Sequence, residues 1–424
     1  MKMKNINCDP SGKKVFFWNI MGSMVNSLLS VVTLMLVTRM LNSERADIFS
    51  IAWSISQLMA TIGTFQIRTY QATDVTQVFK FGQYLWFRLI TNSVMVLCSV
   101  GYVWVKHYGI YKSTIIIIIC LFRAVDAFAD VYEGYFQQKE RLDLVGKACT
   151  YRIVIGLLSF ALSLFMFNNL LLSCVTLLIS YLISFFVFNV RYSICVKKFD
   201  IKEKWKKNTQ WIWRLFKEGL PIFINAFLMM AISNTPKMKI DSAIASGQLD
   251  NGIQTIFSVL FMPASVLTLA YIVFRPLLTK MAIEWTTGRR KKFLKIIALI
   301  FGCLVVMATM LLLGSYLLGI PVLSILYALD LSEYRAELLV MVLGGCFCTF
   351  SYVLDNALVV IRRQYLLVCS YVISWAFVKL TVSAMVDKWK LMGAAVAYAS
   401  SMVMFFMVTL IIFVVCMKKE KTHE

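Results

Sequence analysis

Histidine and charge are both scarce in this 424-residue sequence. It contains two histidines, His107 and His423, and 15% charged residues, whereas an average soluble protein has about 25%. Two histidines in polar or terminal stretches are too few for a His-ligated metal site or a His-based catalytic triad. A soluble globule also needs more polar surface than this composition provides. A soluble metalloenzyme or serine hydrolase is therefore excluded, and we expect neither a metal nor a cofactor.

Hydrophobic residues, by contrast, make up 60% of the chain. They occur in runs of about twenty residues, the length of a helix that crosses a bilayer. The sequence predicts an all-α, polytopic membrane protein with twelve transmembrane helices. The predicted segments are 15–40, 48–67, 85–105, 113–136, 144–167, 170–192, 219–236, 253–274, 293–318, 338–361, 365–386 and 391–416.

The distribution of Lys and Arg predicts the orientation in the membrane. With a cytoplasmic N-terminus, the cytoplasmic segments and their flanks hold 31 basic residues and the outer ones hold 9. Basic residues concentrate on the cytoplasmic side of membrane proteins. We therefore predict a multi-pass membrane protein with both termini on the cytoplasmic side. This bias accounts for most of the net charge of +21 without a nucleic-acid partner.

A polar, basic stretch at 191–217 follows the sixth predicted segment. Six crossings return the chain to its starting side, so this stretch is interpreted as a cytoplasmic connector between two six-helix halves. We predict an N-terminal lobe at 1–206 and a C-terminal lobe at 207–424, arranged as the parallel repeats found in some transporters. No nucleotide-hydrolysing motif is present, since Arg141 and Ala148 replace the required residues around Gly146 and Lys147. We therefore predict a transporter rather than an enzyme.

The fourth predicted segment carries a polar stripe. Its members recur every three or four residues and so share one helix face: Arg123, Asp126, Asp130, Glu133 and Gln137. Each charge at the bilayer centre costs about 2.5–3.5 kcal/mol even on the lower scale, so this face cannot contact lipid. It lines an aqueous cavity, with Arg123 near the midplane, or it forms an internal ladder in which Arg123 pairs with its own helix's acids.

Other charges lie at segment ends or inside segments. Cations near the inner ends can extend to the membrane surface as anchors, or they can form a cluster that attracts phosphate, which Arg binds bidentately. We predict substrate binding by Arg68, Arg88, Arg123, Lys147, Arg152 and Arg275, with a second cationic station at Lys237 and Lys239. We predict coupling-ion or switch roles for Asp74, Asp126, Asp130 and Glu133.

Diffuse motifs along nearly the whole chain resemble the Wzx-type polysaccharide flippases, which are related to the MATE exporters and the lipid II flippases. The stretches that carry the resemblance are VTRML at 37–41, IFSIA at 48–52, TIGTF at 61–65, RTYQATDV at 68–75, RAVDA at 123–127, DVYEG at 130–134, GLP at 219–221, PVLSILY at 321–327 and Gly344-Gly345. The resemblance implies two six-helix lobes around a central cationic cavity.

The resemblance also implies a substrate, an undecaprenyl-pyrophosphate-linked oligosaccharide turned from the cytoplasmic to the outer leaflet for capsule, exopolysaccharide or O-antigen synthesis. The implied partners are this lipid-linked anionic oligosaccharide, membrane lipid, and the polysaccharide polymerase and chain-length machinery. Two alternatives remain open from the sequence. One is a cation-coupled multidrug exporter, which would favour an acidic binding lobe. The other is a membrane enzyme of polysaccharide assembly, which would favour large outer loops.

Overall fold

A computed structural model describes residues 12–74, 78–196 and 209–422. Within these ranges the chain is almost entirely helical and contains no strand. The lysines predicted to flank the first segment at Lys2 and Lys4, and those at 197–207 in the connector, lie outside the described residues.

The helices up to residue 196 are joined by short turns. They are α1 (Gly12–Met40), α2 (Ser43–Thr64), α3 (Ile67–Thr73), α4 (Phe81–Val105), α5 (Ile110–Gln138), α6 (Leu142–Phe167) and α7 (Leu170–Ser184), which continues through a π-helical stretch (Phe185–Val190) into α8 (Arg191–Val196).

The helices from residue 209 onward include several short 3-10 and π stretches. They are α9 (Gln210–Ala245), α10 (Ile253–Phe261), α11 (Val266–Ala270), α12 (Arg275–Thr286), α13 (Arg290–Gly314), α14 (Ile320–Tyr327), α15 (Arg335–Val360) and α16 (Leu367–Thr422). A kink at Lys390 divides α16 into two helical stretches.

Nine helices in the described ranges are long and apolar enough to cross a membrane. All twelve predicted segments overlap helices, but the last two share α16, and the helices α2 and α5 are not among the nine. The all-α polytopic architecture is confirmed, and the number of crossings stays a prediction.

The chain divides into two compact units, Met1–Phe227 and Leu228–Glu424. This division falls inside α9. The sequence-based lobe boundary, between residues 206 and 207, falls in the undescribed range 197–208 and stays a prediction.

Small residues bring α1 and α6 together in the N-terminal unit. Gly146 packs directly against the backbone of Trp18, with no room for a Cβ atom, and Gly22 faces the backbone of Gly146. Association of membrane helices depends on this kind of close backbone packing, because lipid supplies no hydrophobic driving force between apolar helices. The contact fixes α6, which carries two of the predicted cations.

Candidate functional site

The polar stripe of α5 faces cations from other helices of the N-terminal unit. Its three acids are unequally accessible: the side chains of Asp126 and Asp130 are 28% and 21% exposed, and that of Glu133 is 7% exposed. Arginines from α3, α4 and α6 reach these three carboxylates. The acids of one helix therefore hold three neighbouring helices together.

Arg68 reaches the stripe because the chain breaks between α2 and α3. Phe65 and Gln66 both adopt left-handed backbone conformations, with φ of 44° and 51°, which redirect the chain. The Nη1 atom of Arg68 then lies 3.1 Å from Asp130 Oδ1 and 2.9 Å from Glu133 Oε2. Gly134 leaves space for this approach, since a Cβ atom there would crowd Gln71 and Arg68.

Arg88 on α4 is completely buried. Its Nη2 donates to Asp130 Oδ2 at 2.9 Å, and its Nη1 donates to the carbonyl oxygen of Gly63 at 2.7 Å. Thr91 donates to the same carbonyl oxygen. A buried guanidinium needs both a counter-charge and hydrogen-bond acceptors, and α2 and α5 supply them together.

Arg152 on α6 joins the two ends of the stripe. Its Nη2 lies 2.9 Å from Asp126 Oδ1 and 3.0 Å from Glu133 Oε1, and its Nη1 donates to Asn189 Oδ1 at 3.0 Å. Asn189 lies in the π-helical stretch Phe185–Val190. Such stretches in α-helices are frequent at functional sites.

Arg123 is the most loosely paired of the four arginines. Its Nη1 is 3.8 Å from Asp126 Oδ2, and its guanidinium lies over the ring of Trp53, 4.6 Å from the ring centroid. A cation above an aromatic face is stabilised by the quadrupole of the ring. The ring of Trp53 thus stabilises the Arg123 guanidinium in place of a second carboxylate.

Seven side chains form what we call the arginine–carboxylate network. They are Arg68, Arg88, Arg123, Arg152, Asp126, Asp130 and Glu133. The network carries four positive and three negative charges. Its inner side is formed by Arg88, Arg152 and Glu133, whose side chains are at most 7% exposed, and its accessible edge by Arg68, Asp126 and Asp130, at 21–30%.

Two sequence-based expectations are wrong in detail. Arg88 and Arg152 do not extend to the membrane surface as anchors, since their side chains are 0% and 3% exposed. Carboxylates of α5 within reach retain them inside. The ladder within a single helix is present only in part: Arg123 lies 3.8 Å from Asp126 of its own helix, whereas Asp130 is paired with Arg68 and Arg88.

Two predicted site residues of the same unit make contacts of a different kind. The Asp74 carboxylate accepts hydrogen bonds from the backbone N–H groups of Val78 and Phe79 and from the hydroxyl of Tyr84. It therefore holds the residues just before α4 in place. Lys147 lies 3.4 Å from Asp143 on its own helix. Neither has an ion pair with the network among the contacts described.

The remaining predicted cations belong to the C-terminal unit. Lys237 is buried with its Nζ 4.4 Å from the ring centroid of Phe261. Lys239 pairs with Asp387 at 3.1 Å. Arg275 begins α12, and its side chain lies outside the described residues.

Three features of the site were not anticipated from the sequence: Asn189, Trp53 and the carbonyl oxygen of Gly63. Asn189 was detectable as a polar residue inside an apolar segment. Nothing in the sequence indicates that the ring face of Trp53 or the backbone carbonyl of Gly63 contacts an arginine. In the described part of the chain, no group of three or more His, Cys, Asp or Glu side chains is placed to hold a metal ion.

Comparison with known proteins identifies the family. Residues 13–282, more than half of the chain, match the model of the family described as "Polysaccharide biosynthesis protein". No curated protein matches the sequence.

Several solved structures share the fold. An inward-facing multidrug resistance MATE family transporter of the MOP superfamily has a TM-score of 0.70 at 11% identity, covering 94% of this chain and 99% of its own. The lipid II flippase MurJ has a TM-score of 0.63 at 13% identity, covering 94% and 86%. The Vibrio cholerae MATE transporter VcmN has a TM-score of 0.61 at 9% identity, covering 96% and 97%. The chain thus belongs to the polysaccharide biosynthesis protein family and has the fold shared by MATE transporters and MurJ, which confirms the relationship predicted from its motifs.

Proposed function

We propose that this protein is a flippase that moves an undecaprenyl-pyrophosphate-linked oligosaccharide from the cytoplasmic to the outer leaflet of the bacterial cytoplasmic membrane. The arginine–carboxylate network is the observation that carries the proposal. It has an excess of one positive charge, and one of its arginines, Arg68, has a side chain that is 30% exposed. A pyrophosphate is the part of such a substrate that an apolar membrane core excludes most strongly.

The network provides replaceable counter-ions for a phosphate. Arg68 is neutralised by Asp130 and Glu133, so the cation is stable in an apolar setting. Each of these acids keeps a second arginine, Arg88 for Asp130 and Arg152 for Glu133. Arg68 can therefore turn to a phosphate without leaving a carboxylate unpaired.

A multidrug exporter that binds organic cations would require the opposite balance. Carboxylates would have to be free to bind the drug, whereas each acid of the network contacts two arginines. The excess of arginine therefore favours an anionic substrate. The MATE-like fold is compatible with either class of substrate, because the lipid II flippase MurJ shares it.

The proposal is tested with purified protein in vesicles that contain a fluorescent polyprenyl-pyrophosphate oligosaccharide. An impermeant quencher measures its exchange between the leaflets. Arg68→Ala should slow exchange at least tenfold, and Arg68→Lys should retain part of the rate because it keeps the charge but loses bidentate geometry. The matched control is Arg45→Ala, an exposed arginine that donates to the carbonyl oxygen of Asn168. Exchange no faster than in protein-free vesicles would refute the proposal.

A cellular test addresses the biosynthetic role. Deletion of the gene should leave lipid-linked repeat units facing the cytoplasm and remove the surface polysaccharide. Normal surface polymer in a strain without a second flippase would contradict the proposal. Cells that lose drug resistance but keep their polymer would support the multidrug alternative.

A further inference from the structure

A cavity of about 240 Å³ lies in the C-terminal unit, where three interhelical connections meet. Its lining includes Asp250 from the loop before α10, Tyr334 and Glu337 at the start of α15, and Trp389 and Lys390 at the kink of α16. The bias of basic residues assigns all three connections to the outer side of the membrane. The cavity shares no residue with the arginine–carboxylate network.

Backbone geometry and an ion pair fix the walls of this cavity. Gly252, at φ 101°, turns the first loop in a conformation that other residues rarely adopt. Lys390 occupies a similarly restricted conformation, with φ 50° and ψ −124°. Asp387, just before the kink, is bound to Lys239 of α9 at 3.1 Å. The cavity is thus formed before any ligand arrives, which reduces the entropic cost of binding.

The carboxylates that line the cavity can accept hydrogen bonds from a ligand. Glu337 Oε2 is buried and has no hydrogen-bond partner among the described residues. Buried carboxylate oxygens are nearly always bonded. Asp250 and Glu337 line the cavity, and both, with Asp330 and Glu333, act electrostatically on the phenol of Tyr334. Hydrogen bonds from Ser332 lower the pKa of Asp330, which keeps it ionised. Lys390 also lines the cavity, so the lining carries two carboxylates and one ammonium group. Its net negative charge disfavours an anionic ligand.

The remaining walls offer flat apolar faces. Trp389 is 48% exposed and Tyr334 is half-buried, so both rings are partly accessible. Aromatic rings combine a large apolar face with a polar tip, which suits an amphipathic ligand. Ligand pockets usually measure about 300–1,000 Å³, and this cavity is smaller. A single ring of such a ligand fits its size.

We infer that this cavity binds one uncharged or amine-bearing sugar ring of the transported glycan on the outer side of the membrane. The inference rests on the proposed function. The C–H face of the sugar packs on Trp389, and its hydroxyl or ammonium groups donate to Glu337 and Asp250. The site would receive the glycan as it emerges, while the pyrophosphate is handled by a different set of residues.

The binding test uses the full-length protein in detergent micelles and saturation-transfer difference NMR. Three probes are titrated: methyl β-glucoside, which is neutral, glucosamine, which is cationic, and glucuronate, which is anionic. The first two should bind saturably with a Kd on the order of 1–10 mM. Glucosamine should bind more tightly, because the two carboxylates of the lining outnumber the ammonium group of Lys390, and glucuronate should bind much more weakly than either.

Matched variants assign the binding to the cavity. Glu337→Gln and Trp389→Ala should each raise the Kd about tenfold, the size expected when one charged hydrogen bond or one ring contact is lost. Glu44→Gln and Trp104→Ala change an exposed acid and an exposed tryptophan far along the chain from the cavity residues, and should leave the Kd unchanged. Trp389 is exposed, so its variant tests the site even if Glu337→Gln fails to fold.

Three results would overturn the inference: no saturable binding of methyl β-glucoside or glucosamine, equal binding of glucuronate, or unchanged binding by Trp389→Ala. None of these three binding results depends on the exchange of the lipid-linked oligosaccharide between the leaflets. If exchange of the lipid-linked oligosaccharide is normal while sugar binding is absent, the cavity assignment fails alone. If sugar binds but no exchange occurs, the proposed function fails instead.

Discussion

Arg88 and Asp130 form an asymmetric ion pair in which the cation is completely buried and the anion is partly accessible. Nη2 of Arg88 lies 2.9 Å from Oδ2 of Asp130, and the two side chains are 0% and 21% exposed. Asp130 also accepts from Arg68 on its accessible side. One carboxylate thus lies between a fully buried arginine and a partly exposed one.

The first prediction concerns this asymmetry. Arg88→Ala should lower the free energy of unfolding by about 3–5 kcal/mol, because it removes one partner of a buried ion pair and leaves the Gly63 carbonyl with fewer donors. Arg68→Ala should cost roughly 1 kcal/mol, as expected for a more exposed pair. Thermal unfolding in detergent measures both. Equal losses would show that the two arginines do not differ in role.

Accessibility of the network is the second prediction. In a background without the exposed native cysteines, Asp126→Cys should react with a small water-soluble thiol reagent, since the native side chain is 28% exposed. Inorganic pyrophosphate should slow the reaction. The native, buried Cys120 serves as the unreactive reference. An unreactive cysteine at position 126 in a folded protein would show that the network is closed to solvent.

Asp74 provides a third prediction. Its carboxylate accepts two backbone N–H groups and the Tyr84 hydroxyl, so Asp74→Ala should destabilise the protein by about 1–3 kcal/mol. Substrate exchange per folded molecule should remain near that of the wild type. Loss of exchange without loss of stability would instead support the predicted coupling-ion or switch role of Asp74.

Helix packing leads to a fourth prediction. Gly146→Ala should cost about 1–3 kcal/mol, the usual effect of overpacking, because the added methyl group meets the backbone of Trp18. Gly302→Ala is the matched control, since nothing lies within 4 Å of a Cβ atom at that position. Melting temperatures of the two variants should therefore diverge. Similar temperatures would show that α1 and α6 can separate freely.

The fifth prediction tests membrane orientation. A membrane-impermeant thiol reagent applied to intact cells should label Lys390→Cys, at the predicted outer kink of α16, and should not label Lys13→Cys before the first segment. Permeabilised cells should show labelling of both. Labelling only of the variant at position 13 would invert the topology and place the C-terminal cavity on the cytoplasmic side.

Sequence reasoning located the central helix of the site but not the contacts around it. The spacing from Arg123 to Glu133 places these charges on one face of α5 by helical geometry alone. Arg68 joins them only because two non-glycine residues, Phe65 and Gln66, adopt left-handed conformations. No local sequence pattern specifies that break, since such conformations are costly and persist only when tertiary packing enforces them.

The cavity of the C-terminal unit illustrates the same limit. Asp250, Glu337 and Trp389 are separated by more than fifty residues from one another, and each alone is an ordinary loop or helix-end residue. Their convergence depends on how α9, α15 and α16 pack within the C-terminal unit. Charge patterning predicts the side of the membrane on which these loops lie, but it does not predict that they meet.

The π-helical stretch Phe185–Val190 lets the chain carry an extra residue next to the site without turning the rest of the helix. Such a stretch accommodates about one residue more than an α-helix would over the same turn. Deleting one residue between 185 and 188 would therefore restore regular α-helix and leave Asn189 on nearly the same helix face, within reach of Arg152. The same deletion in the regular part of α7 would rotate the residues on its two sides by about 100° relative to one another. A one-residue deletion is therefore tolerated in the π-helical turn and disruptive in the α-helix that precedes it.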